Sequence, residues 1–280
     1  MRNIWTLARM TYREALRRRI VLTGLALGLC FLVVFSLGFY FIYASFYISP
    51  DRTIYRIARS EATNMLLLAG LYAVSFLSLA MGALLGADTL AGEIASGTIQ
   101  TIASKPVRRA EIVLGKWLGF AALLALYSLL MSGGTALSVF AQTGYAVPNL
   151  LAGIALIYLE SLLIMTVSLA FSSAIPALAA GGVVFGLYGL AFIGGWIEQF
   201  GALLDNQTAV KIGIVTSLII PSEAIWRRAS FEMQSPLAGV WGMSPFGAAS
   251  VPSAAMILYA VVYLVMALGA AINTFQNRDI

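Results

Sequence analysis

The residues able to do chemistry in this chain are few. Histidine is absent from all 280 residues, and Cys30 is the single cysteine. This removes the commonest general base and metal ligand together and excludes an intrachain disulfide. Ten methionines are scattered without a repeated spacing, which fits core packing better than a soft-metal site. Gly115-Lys116 lacks the preceding glycines of a phosphate-binding loop, so the chain is expected to hold no nucleotide of its own. Paired aspartates and a Ser-His pair, the means of intramembrane hydrolysis, are missing from the apolar segments. What remains is one acid, Glu160, between two uncharged stretches at 117–159 and 161–197.

A carboxylate in such surroundings is expensive. Ionised at the centre of a membrane helix it costs about 2.5–3.5 kcal/mol on insertion scales. Glu160 is therefore expected to be protonated, paired or turned to a polar cavity. Two roles follow: a substrate or proton contact in a transport pathway, or a structural hydrogen bond. For the second, the sequence offers Tyr158 or the span-three hydroxyls of Ser128, Ser132 and Thr135 as partners.

The elements that must position Glu160 are apolar helices. The chain is 60% hydrophobic and 10% charged, with mean hydropathy +0.90, against about 25% charged in soluble domains. A spanning helix needs about 20 apolar residues. Six segments qualify, at 20–43, 62–86, 112–140, 150–171, 177–197 and 253–275. Turn-like residues separate them, including Gln142 to Asn149 and Ser172 to Pro176. The fold class expected is an all-α membrane protein of six transmembrane helices, organised as a single permease-like domain over 1–280. Residues 198–252 hold an apolar stretch, 212–220, too short to cross, and are broken by Pro221, Pro236, Pro245 and Pro252. They are expected to form an extracytoplasmic segment of re-entrant or interfacial helices.

Charge sets the orientation. Eleven of seventeen basic residues fall before residue 20, in the loop after span two, and in the tail, so these parts and both termini are assigned to the cytoplasm. The net charge of +5 is thereby accounted for by membrane topology, with no nucleic-acid partner implied. Residues 1–19 read as an amphipathic helix in the lipid interface. Ile4, Trp5, Ala8, Tyr12, Ala15 and Leu16 make one face, and Arg2, Arg9, Arg13 and Arg17 the other. The apolar run that follows is too long for a cleavable signal, and no organelle presequence is evident, so a multi-pass place in a prokaryotic plasma membrane is expected. Lys211, Arg227 and Arg228, with Trp226 and Trp241 nearby, are expected on solvated or interfacial faces on the outer side.

The cytoplasmic loop at 88–111 carries a motif. A short helix places Ile94, Thr98, Ile99 and Ile102 on one face and ends at Lys105-Pro106, leaving Arg108, Arg109 and Lys116 at headgroup level. A small apolar ridge of this kind suits a partner's groove. The run from Gly92 to Lys116, GEIASGTIQTIASKPVRRAEIVLGK, resembles the segment joining spans two and three in ABC-2 type transporter permeases: an acid-Gly-Thr stretch, a proline, a basic residue and a Gly-Lys pair. The segment Ile220 to Arg227 is similar to the subgroup containing the nitrous-oxide-reductase maturation permease. The resemblance implies a cytoplasmic coupling helix between spans 2 and 3, with Glu93, Gly97, Thr98, Ile99, Pro106, Arg108 and Arg109 meeting a separate ABC ATPase subunit. It also implies that ATP is bound by that partner, with no cofactor in this chain, and that the chain is no enzyme itself.

The resemblance further implies an exporter, and because six spans make a thin wall around any pathway, a second permease subunit is expected, in a homo- or heterodimer. Gly24/Gly28, Gly82/Gly86, Gly115/Gly119 and Gly182/Gly186 offer close helix packing inside or between subunits. Two other readings stand beside it: an ion-coupled secondary transporter using Glu160, which would favour internal repeats, and a non-transporting membrane scaffold.

Overall fold

A computed structural model of the chain describes residues 2–45, 52–95, 97, 108–235 and 250–278. Every regular element among these is an α-helix. In chain order they are α1 (Arg2–Ala15), α2 (Arg19–Ser45), α3 (Arg52–Thr89), α4 (Ala91–Ala95), α5 (Arg109–Thr143), α6 (Leu150–Ser172), α7 (Ala177–Leu203), α8 (Gln207–Ile219), α9 (Ser222–Met233) and α10 (Ala254–Gln276). Six are long and apolar enough to span a bilayer: α2, α3, α5, α6, α7 and α10. They coincide with the six segments expected from hydropathy. The length of α3, 38 residues or about 57 Å, exceeds the roughly 30 Å hydrocarbon core, so it projects beyond the apolar layer.

Local chemistry explains the boundaries. α5 stops at Gly144, whose φ of 71° is the left-handed conformation glycine takes without strain, and whose N–H donates to the Phe140 carbonyl at 2.8 Å. α6 ends in the Ser172-Ser173 pair and α7 begins after Pro176. The turn into α8 is closed by Asn206, whose side-chain oxygen accepts from the Thr208 and Ala209 amides at 3.1 and 3.2 Å. α8 and α9 meet at Ile220-Pro221 with a bend of 109°. Proline cannot donate the hydrogen bond that would continue the helix. The pair of short helices expected between spans five and six is therefore present.

The core lies between α3, α5 and α6, whereas α2, α7 and α10 present large apolar surfaces outward. In lipid such surfaces are solvated by acyl chains. α3 and α6 touch nearly backbone to backbone. A Cβ on Gly82 would fall 2.7 Å from the Ser161 carbonyl oxygen, and one on Gly86 would fall 2.5 Å from that of Met165. Ser168 donates to the Ala83 carbonyl at 2.6 Å across the same seam. Gly115 and Gly119 admit α1, and Gly24 and Gly28 admit Met81 and Met131. Three of the four glycine pairs thus pack within the chain, while Gly182 and Gly186 face open space.

Contacts at the two ends show that the spans alternate. Near the N-terminus, α1 meets the start of α5, Arg109 donates to the carbonyls of Gln276 and Arg278, and Arg278 donates to the Ser173 carbonyl at 2.7 Å. At the other end, Tyr145 and the Ser235 amide both donate to Asn64, and Gln142 donates to Ser36. Both ends of the described chain therefore lie at the same end of the bundle. The seam of α1 differs from the face drawn by periodicity. Ile4, Leu7, Ala8 and Thr11 meet α5 through Gly115 and Gly119, while Trp5 is 73% exposed.

Candidate functional site

The loop after span two begins as an ion-paired knot. Glu93, on α4, pairs with Lys116 of α5 and lies 3.9 Å from Arg18. Arg18, between α1 and α2, also reaches Asp88 at 3.4 Å and Glu14 at 2.8 Å. Lys116 was expected at headgroup level. It is buried instead, because the Glu93 carboxylate pairs with it below the surface. The first two amides of this stretch, Leu90 and Ala91, donate to Ser172 Oγ at 3.1 and 3.0 Å. A hydroxyl at the end of α6 thereby caps the start of α4, a buried helix end that needs a partner.

The remaining loop residues separate in role. Gly97 holds a φ of 71°, which favours glycine there. Arg108 is exposed, and its amide donates to the Glu111 carboxylate at 3.2 Å at the start of α5. Arg109 turns inward to the last carbonyls of α10, a usual place for a cation. Thr98, Ile99 and Pro106, with most of the expected apolar ridge, lie outside the described residues. Of the loop residues singled out from sequence, Glu93 is an internal link, Arg109 ties down the tail, and Arg108 faces outward.

Inside the bundle Glu160 is 1% exposed. It accepts a hydrogen bond from Ser75 of α3 at 2.5 Å. The donor comes from span two, whereas the sequence pointed to Tyr158 or span three. Tyr158 donates across to the Ala121 carbonyl of α5 at 3.2 Å and Thr135 to that of Met131 at 2.9 Å, so both hydroxyls are engaged elsewhere. Ser128 and Ser132 are buried but make no hydrogen bond to Glu160 among the described residues.

Two further acids join from the segment read as extracytoplasmic. Glu223 of α9 is buried and accepts from the Tyr72 hydroxyl at 2.7 Å. Its side chain fits against α7 because residue 195 is glycine. Glu160 and Glu223 lie within electrostatic reach of each other and of Tyr188. Glu198, near the end of α7, pairs with Arg227 of α9, and both are buried. Ser250 donates to Glu198 at 2.9 Å and Arg227 to Ser217 at 3.2 Å.

Arg227 was expected on a solvated face and Trp226 at the lipid interface. Both are buried, because α9 folds back into the bundle and packs Trp226 against Tyr72, with 4.9 Å between ring centroids and the rings tilted by 42°. Lys211 is exposed as expected. Arg228 is half-buried and pairs with Glu232 one turn on, at 2.6 Å. The Glu223 and Arg227 spacing of four residues on one helix was the signal available in the sequence. Their inward direction was not legible, because it depends on the 109° bend.

Chemically, three buried carboxylates lie on α6, α7 and α9, and one buried guanidinium, Arg227, pairs with Glu198 and lies within electrostatic reach of Glu223. Glu160 and Glu223 each accept a hydrogen bond from a hydroxyl. Such a centre can exchange protons, or receive a cationic or hydrogen-bonding group, inside an otherwise apolar bundle.

The fold and the site together define an all-helical membrane protein with six candidate spans and a buried polar centre. Residues 5–280 match the family described as ABC-2 family transporter protein, and the chain belongs to that family. It is also similar to the probable ABC transporter permease protein NosY of Pseudomonas aeruginosa, at 29% identity over 138 residues. That match covers 49% of this chain and 46% of the relative, about half the length of each.

Proposed function

We propose that this chain is the membrane-spanning half of an ABC exporter, driven by a separate cytoplasmic ATPase and completed by a second permease subunit. It sits in a prokaryotic plasma membrane with both termini in the cytoplasm. The observation that carries the coupling part is the knot at the loop: Glu93 held by Lys116 and Arg18, with Leu90 and Ala91 held by Ser172. A push on Glu93 and its neighbours would reach the α1–α2 junction, α5 and α6 together, because Arg18, Lys116 and Ser172 each hold the start of the loop. Rigid-body tilting of those helices is the form alternating access takes here. Arg108, with Thr98, Ile99 and Pro106, supplies the surface the ATPase meets, while Glu93 and Arg109 transmit the movement. ATP is bound and hydrolysed by the partner. Glu160 and Glu223 line the pathway, where their carboxylates meet the cargo or a proton.

Co-purification in mild detergent from native cells tests this reading. A stoichiometric subunit carrying a phosphate-binding loop is expected, and Arg108→Glu should deplete it without altering the yield of the permease. A chain that purifies alone across several detergents would sink it.

A second reading, ion-coupled transport, is favoured by the two carboxylates in excess of Arg227. Proteoliposomes holding the chain alone discriminate the two: transport driven by a proton or sodium gradient, abolished by Glu160→Gln, would select it.

A further inference from the structure

We propose that the cleft between α1 and spans three and four is a binding site for one anionic phospholipid. Its acyl chain would lie in the cleft and its phosphate against Arg9. The cavity has a volume of about 420 Å³ and is lined by Trp5, Arg9, Tyr12, Leu118, Ala122 and Tyr158, among others. That lies within the roughly 300–1,000 Å³ range of small-molecule sites. Its walls are apolar rings and methyl groups. The Tyr158 hydroxyl is already engaged with the Ala121 carbonyl, so the tyrosine offers its ring.

Charge selects the occupant. Residues 1–19 hold six arginines and one acid, Glu14, and Glu14 is taken by Arg18. Arg9 and Arg13 are exposed, and neither has an ion pair among the described residues. A second copy docked on this cleft in a symmetric arrangement would set the two arginine rows against each other. An anionic headgroup satisfies them instead. Trp5, 73% exposed at the cleft mouth, suits the headgroup level. The cleft is walled by α1 and the start of α5, on the side of the Arg18–Glu93–Lys116 knot, and none of the three buried carboxylates lines it. The inference therefore stands independently of what powers transport.

Photolabelling tests it. The full chain is placed in phosphatidylcholine vesicles doped with phosphatidylglycerol carrying a diazirine on one acyl chain, then irradiated and mapped by peptide mass spectrometry. Labels are expected to concentrate on residues 118–122 and Tyr158. Excess unlabelled phosphatidylglycerol should compete them away, and phosphatidylcholine should not. Ala122→Phe, which fills the cleft, should lower this labelling several-fold. Arg9→Gln, an exposed change that leaves the packing intact, should equalise labelling by phosphatidylglycerol and a diazirine phosphatidylcholine. Labels spread evenly over the outer faces of α2 and α10 and unchanged by either substitution would mean surrounding lipid only, and would overturn the proposal. Crosslinks from the cleft to a second copy of the chain would overturn it equally.

Discussion

At the scale of single residues, the structure turns one isolated acid into part of a centre. Ser75 is the sole described donor to Glu160, so Ser75→Ala should leave a buried carboxyl oxygen unsatisfied and destabilise the protein by about 1–3 kcal/mol. A lowered unfolding temperature in detergent would register this, and an unchanged one would show that Glu160 finds another partner. The pair Glu198 and Arg227 makes a sharper case. Arg227→Met should cost about 3–5 kcal/mol, because it strands a buried carboxylate, while Glu198→Leu combined with Arg227→Met should recover most of the loss. A double-mutant cycle on unfolding midpoints measures it, and additive losses would contradict the pairing. If Glu160 and Glu223 serve the pathway, Glu160→Gln and Glu223→Gln should each reduce transport while leaving the fold intact.

At the scale of elements, the glycine pairs divide by what they face. Leucine at Gly82 or Gly86 would drive a side chain into the backbone of α6. The overpacking penalty is typically about 1–3 kcal/mol and rises where, as here, the obstructing atoms are backbone. The yield of monodisperse protein should fall. Leucine at Gly182 should leave the isolated subunit unaffected, since nothing lies within 4 Å of the added Cβ. A loss of dimer with the subunit intact would place that face of α7 between subunits. The junction of α4 and α6 has its own signature. Ser172→Ala removes the acceptor for two amides, and hydrogen exchange at Leu90 and Ala91 should then accelerate. The six spans were legible as elements because about 20 apolar residues in succession admit few other structures. The helix pair after span five was legible as re-entrant or interfacial, but which of its charged residues turn inward was not. Composition around Glu223, Trp226 and Arg227 reads as an interfacial face, and the bend at Pro221 buries that face instead.

At the scale of the whole molecule, alternation of the spans puts both ends of the described chain on one side. In a Cys30→Ala background, cysteines introduced at Asn3 and Asn277 should label from the same side of sealed vesicles. A cysteine at the exposed Lys211 should label from the opposite side. Labelling of Asn3 and Asn277 from opposite sides would break the six-span topology. Glu93 tied to Lys116 and Arg109 tied to the tail join the two described ends of the loop to α5 and to the end of the chain.

The sequence alone determined the solvent of this protein, the number and approximate places of its spans, and the exclusion of histidine-based chemistry. These follow from composition and from local periods, which do not depend on what packs against what, while the family was carried separately by the resemblance of the run from Gly92 to Lys116. Only the tertiary structure decided which charges are buried and with whom. Glu160 takes its donor from a helix 85 residues away. Tyr72 and Glu223 meet across 151 residues. Lys116, expected at headgroup level, is buried against Glu93. Hydropathy assigns a charged residue to water by default. It stays in the apolar interior only when a partner from another element arrives at hydrogen-bonding distance, and that arrival is a property of the packed bundle.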